Sequence, residues 1–238
     1  MIDASDIVRL RTGFAILPAE DQATHTGDRL MMCAYAIRHP SGVFLFDTGI
    51  GRDPVFDAQY SMVHWDIDEQ LAAAGIAISD VVAVANCHLH FDHAGGNARF
   101  PGIPIVAQRI EHATAVATED YTLPGIADFP GARYELLDGE APIWPGLTVI
   151  PTPGHTAGHQ SLVVETRQGR VVLAGQSFNL ASEYAQARLS QELDHAGYGD
   201  PFGYPAWMDV VETLDPWRIL FAHDVASWER GPGIPPSG

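Results

Sequence analysis

The chain is predicted to be an α/β protein in which β-sheets are covered by helices. Three observations lead there. Short runs rich in Val, Ile, Leu and Phe recur along its 238 residues, each bounded by Gly, Pro, Asp or Asn. Helical patterns fall between them, so strands come first and then alternate with helices. The composition, 46% hydrophobic and 18% charged, belongs to a folded chain with enough length to bury a core.

Taken in order, strands are predicted at 30–38, 43–47, 81–86, 104–107, 147–150, 161–165, 171–174 and 218–221. Helices are predicted at 66–74, 109–117, about 180–193 and 205–214; the first ends at Gly75, a fitting C-terminal stop. No linker, repeat or charge block divides the chain, so residues 1–230 read as a single domain. The GPGIPPSG ending, 231–238, reads as a disordered tail.

Charge narrows the function. Thirteen Lys and Arg against 30 Asp and Glu give −17, which repels phosphate backbones and anionic membrane surfaces. A small molecule is therefore the expected partner, with no nucleic acid and no membrane, for a monomer or homodimer. Cys33 and Cys87 cannot form a disulfide framework, and MIDASDIVRLRTG lacks a basic start and an apolar stretch. Both points indicate the cytoplasm. Cys87, in VVAVANC, reads as a small core residue.

Eleven histidines stand out in so acidic a chain. His88, His90, Asp92 and His93 follow the apolar strand at 81–86 within Asn86–Gly96. Residues i and i+2 of an extended chain point the same way, so His88 and His90 project together, and Asp92 and His93 fall where the chain turns. Imidazole and carboxylate donors at one sheet edge suit a borderline divalent cation such as zinc. A second strand ends in Pro151–His159, which presents His155; His159, four residues on, reads as a supporting residue. His223 follows the last strand. His25, His39, His64, His112 and His195 lack this strand-end setting and read as surface or packing residues.

HLHFDH, the downstream PGHTAGH, the upstream Phe46-Asp47-Thr48-Gly49 turn and the late His223 resemble the metallo-β-lactamase superfamily. Within it, HLHFDHAGGNARFPGIPIVAQRIE, PTPGHTAGHQSLVVET and FAHD are similar to the N-acyl homoserine lactonases, in the same order over nearly the whole chain. The resemblance implies an αββα sandwich of two mixed sheets flanked by helices. It implies a first metal on His88, His90 and His155, and a second on Asp92, His93 and His223. The family's bridging aspartate falls on Gln176, and a substrate-contacting tyrosine falls on Asn179, with Tyr184 nearby as a substitute. Gln176 and Asn179 are thus expected as weak metal or substrate contacts, and the second ion as the weaker of one or two zinc ions.

A bound divalent ion lowers the pKa of its water towards about 7, giving hydroxide at neutral pH. The expected enzyme is a metal-dependent carboxylic ester hydrolase that opens a lactone ring, a quorum-quenching activity, with Asp92 moving the proton. The alternatives are another ester or thioester hydrolase or metabolite-tailoring enzyme of this fold, and a degenerate small-molecule binder without catalysis. The loops at 14–26, 60–65 and 121–133 are the expected pocket walls. Trp65, Phe129, Phe178, Tyr184 and Trp207 are candidate substrate contacts.

Overall fold

The computed structural model describes residues 1–19, 29–199 and 202–230. The expected tail, His25 and much of the 14–26 loop lie outside the described residues. Two mixed sheets stack face to face, as the resemblance implies. The first runs β4(Val63–His64)-β1(Ile7–Ile16)-β2(Arg29–His39)-β3(Gly42–Phe46)-β5(Val81–Ala85)-β6(Pro104–Gln108)-β7(Arg133–Leu137). The second runs β13(Ser227–Glu229)-β12(Arg218–Leu220)-β11(Gly169–Leu173)-β10(Gln160–Thr166)-β9(Leu147–Pro151)-β8(Ala141–Trp144). β3, β5, β6 and β7 pair in parallel, as do β11 and β12; the remaining pairs are antiparallel.

Strand alternation sorts the side chains into layers. Tyr35, Ile37, Phe44, Phe46 and Ala85 face inward and meet Leu147, Val149, Leu162, Val164 and Leu173 of the opposite sheet. Their neighbours Ala34, Ala36, Leu45 and Val84 face outward, under Ile67 and Leu71 of a helix at Ile67–Ala73. On the far side, Val163, Val172 and Ile219 lie under Ala181 and Tyr184 of the helix Ala181–His195 and Trp207, Met208 and Val211 of the helix Trp207–Leu214. Among the described residues no helix is long and apolar enough to cross a membrane.

The predicted strands and helices all occur, with ends shifted by a few residues at most. β1 was not predicted. Its alternation of Arg9 and Arg11 with buried Leu10 and Thr12 breaks at a bulge between Arg11 and Gly13. β7 and β8 lie outside the prediction because none of their residues is buried, and β4 and β13 because they are only two and three residues long.

Candidate metal centre

The site begins where β5 leaves its sheet. Cys87 N–H donates to Asp47 Oδ1 at 2.8 Å, and Cys87 O accepts from Gln160 N–H at 2.8 Å. Both sheets therefore grip the strand end from which the ligand-type residues project. Asp92 and His93, expected where the chain turns, lie on a single helical turn, Phe91–Ala94. That turn packs against the 47–51 segment so closely that a Cβ on Gly95 would lie 1.8 Å from Gly51 N.

Two donor clusters form at this edge. In the first, the rings of His88 and His90 are 4.5 Å apart, those of His88 and His155 are 4.6 Å apart, and His90 Nδ1 lies 3.1 Å from His155 Nε2. His88 Nε2 is buried and has no hydrogen-bond partner. In the second, His93 Nε2 lies 3.0 Å from Gln176 Oε1, 3.2 Å from His223 Nε2 and 3.4 Å from Asp92 Oδ2. Asp92 Oδ2 is in turn 3.5 Å from His223 Nε2.

Buried supports hold these groups. Asp47 adopts a left-handed φ of 63° and presents Oδ2 to His93 Nδ1 at 3.1 Å. Glu111, on the helix Arg109–Ala117, accepts from Leu89 N–H at 2.8 Å and from the Thr156 hydroxyl at 2.7 Å, and also from the Tyr121 hydroxyl. It ties the His88–His90 segment to the His155 loop. His159 Nδ1–H donates to Thr152 O at 3.0 Å, so its Nε2 accepts from Gln176 N–H at 3.1 Å. His159 thus positions the backbone of Gln176, in keeping with a supporting residue.

The electrostatics fit a cation. Burial, then the neighbouring His93 and His90, hold His88 well below the usual imidazole range. Burial and His93 bring His223 down to about 3. These rings keep their lone pairs at neutral pH. For Asp92, burial opposes ionisation, yet His93 and His223 hold the carboxyl well below the usual carboxylate range. For His93, burial opposes the charged form, yet Cys87, Asp92 and Asp47 raise it well above the usual range. Carboxylate, amide carbonyl and imidazole lone pairs converging within hydrogen-bond distance need a positive charge between them, from a proton on His93 or a metal ion. Together with the orphaned His88 Nε2, this donor set fits divalent metal.

A cleft of about 790 Å³ opens onto the clusters and is lined by His90, Asp92, His155 and Gln176. Leu17, Leu30, Met32, Val55, Phe56 and Met62 give it apolar walls, and Asp53 and Asp120 add two carboxylates. Leu17, Tyr60, Met62 and Tyr121–Leu123 come from the three loops expected to line it. The individual aromatics named from sequence sit elsewhere. Trp65 packs edge-on to Phe14 and lines a separate polar cavity. Phe178, Tyr184 and Trp207 pack together beneath the second sheet, and Phe129 beneath the first. Aromatic character marked them, but the face of the sheet on which each lies decides its role. Asn179 does reach the site, accepting from Gln176 Nε2 at 3.1 Å through Oδ1.

The sequence names Asp47 only as part of the turn that carries the resemblance, with no role of its own, and gives Glu111 no role at all. Asp47 ends the apolar run VFLFD, the same strand-end position that drew attention to His88. Glu111 carried no local signal, because its partners are 10, 22 and 45 residues away.

Comparison with known proteins shows the family and agrees with the fold. The model of the metallo-beta-lactamase superfamily matches residues 33–223. An N-acyl homoserine lactonase of Bacillus sp is 30% identical over 217 residues, covering 85% of this chain and 84% of the relative. The lactonase AttM of Rhizobium radiobacter is 30% identical over 161 residues, covering 58% of this chain and 61% of the relative. Among solved structures, a Bacillus thuringiensis AiiA variant with N-decanoyl-L-homoserine at its active site aligns with a TM-score of 0.70 at 23% identity, covering 94% of both chains.

Proposed function

This chain belongs to the metallo-β-lactamase superfamily, and from that premise we propose that it is a metal-dependent hydrolase that opens N-acyl homoserine lactones. The observation that carries the reading is the convergence of two metal-fitting donor clusters at the end of an apolar cleft. His88, His90 and His155 would hold a first ion; Asp92, His93 and His223, with the carbonyl of Gln176, would hold a second. Divalent ions there, zinc above all, would generate a nucleophile from water and polarise the substrate carbonyl.

The chain's own residues supply the rest. Asp92, at the cleft wall, orients the attacking water, takes its proton and passes it to the leaving alkoxide as the ring C–O bond breaks. The apolar walls hold an acyl chain and exclude water. Gln176 makes the two ions unequal: two dications repel, and a neutral amide offsets that repulsion less than a carboxylate would. The second ion is therefore the weaker. Two buried free cysteines support a cytoplasmic setting, and the charge of −17 supports a small-molecule partner over nucleic acid.

Metal-loaded protein offered lactones of short and long acyl chain is expected to release one proton per ring opened, followed with a pH indicator. Reaction with aryl esters or thioesters but with no lactone would transfer the reading to another esterase of this fold. Metal binding with no hydrolysis of any ester would leave a non-catalytic binder.

A further inference from the structure

Cys87 lies between the two clusters, fully buried, and the proposed function gives it no task. Its Sγ is 3.2 Å from His88 Nδ1, 3.3 Å from His93 Nδ1 and 3.2 Å from Asp47 Oδ2. The sulfur is pinned there. Gly175, at φ 55°, packs so tightly that a Cβ on it would fall 2.8 Å from Cys87 Sγ.

Counting hydrogens decides the direction of each bond. A carboxylate only accepts, so Asp47 Oδ2 receives His93 Nδ1–H. A thiol has one hydrogen to give. If that hydrogen went to His88 Nδ1, the ring would carry its own hydrogen on Nε2, which is buried and has no acceptor. Leaving such a donor unpaired costs about 1–3 kcal/mol. If it goes to Asp47 Oδ2, the sulfur lone pair faces His88 and accepts Nδ1–H, and Nε2 is left as a bare lone pair towards His90 and His155. Among the described residues Cys87 Sγ is the one hydrogen-bond partner of His88 Nδ1.

We infer that Cys87 sets the tautomer of His88: Asp47 takes the thiol hydrogen, the sulfur takes His88 Nδ1–H, and His88 Nε2 is thereby presented to the three-histidine cluster as a ligand. Cys87 is a positioning residue, and the inference rests on the reading that this cluster binds metal. It also links the halves, since Asp47 serves His93 and the thiol together.

Two measurements on the full chain test it. Zinc affinity is read by competition with a chromogenic chelator for wild type, Cys87→Ser and Cys87→Ala. Serine, which also accepts and donates, should hold the first ion nearly as wild type does, while alanine should weaken it about 10- to 100-fold, as loss of a ligand's hydrogen-bond partner does. Long-range ¹H–¹⁵N NMR of histidine-labelled, chelator-stripped wild type should show His88 with its hydrogen on Nδ1. That measurement stands even if Cys87→Ala does not fold. An alanine variant with wild-type zinc affinity, or a wild-type His88 carrying its hydrogen on Nε2, overturns the assignment. Neither readout involves a lactone, so a wrong substrate class would leave this result intact, and a failure here would leave lactone hydrolysis to be judged separately.

Discussion

The two donor clusters touch, yet they are built of different material. The first is imidazole alone, His88 and His90 from one strand end and His155 from another, with Glu111 bracing both segments from a single helix. The second mixes a carboxylate, two imidazoles and an amide from three distant parts of the chain: Asp92 and His93, Gln176, and His223. Its supports are Asp47 behind His93, His159 behind the Gln176 backbone and Asn179 behind the Gln176 amide. Three neutral imidazoles plus water are the composition of a catalytic zinc site that needs no further charge. On the proposed reading the second cluster would have to accommodate a second dication with one carboxylate. Tightness and reactivity would then be divided between the halves.

That division can be broken from either side. The largest effect is expected from His88→Ala or His90→Ala: each removes a ligand-type nitrogen from the all-imidazole half, and both first-ion retention and hydrolysis should be lost, read by metal analysis and lactone turnover. Asp92→Asn should come next. Proton transfer contributes about 10²- to 10⁴-fold, so turnover should fall by a factor within that range and further than metal content does; equal losses would make Asp92 a ligand and nothing more. Glu111→Ala should lower first-ion affinity about 10- to 100-fold, because the bonds to Leu89 and Thr156 go together. Second-ion affinity in Glu111→Ala should change less, and equal loss at both sites would show that the halves share one frame. The smallest effect is expected from Gln176→Asp, a gain of about tenfold in second-ion affinity, roughly 1.4 kcal/mol, in a side-by-side titration. Two ions already held equally in wild type would erase the difference between the halves.

Legibility in the sequence followed the reach of each interaction. His88, His90, Asp92 and His93 were visible because the chain itself brings them together in a six-residue span just past a strand end. His155 and His223 were visible from the same strand-end setting, and Gln176 only through the family resemblance, as the position where the bridging aspartate would fall. The strands and helices followed from the spacing of apolar runs and the sandwich from the family resemblance, with β1, β7 and β8 hidden by charge or exposure and β4 and β13 too short to show a pattern. Glu111 could not be read, since nothing near it in sequence marks an acid that must be buried. Trp65, Phe178 and Tyr184 were misplaced for the converse reason: an aromatic fits a sheet's outer face and a ligand cleft equally well by composition. The walls proved to be mostly aliphatic, with Phe56 stacked on Phe91, ring centroids 5.0 Å apart, and Tyr121 on His90 at 4.7 Å.

The two carboxylates in the cleft wall bear on how a catalytic cycle would end. A lactone enters uncharged, and ring opening leaves a carboxylate. Asp53, held by the N–H groups of Val55 and Phe56, and Asp120 are thus indifferent to what arrives and hostile to what departs. The same polarity extends over a molecule carrying −17. Such a wall makes passage directional, biasing against re-entry of the opened acid without slowing the approach of the ring. Salt shortens the reach of that repulsion to about 8 Å at physiological strength, so inhibition by added product should be faint in dilute buffer and grow as sodium chloride is raised.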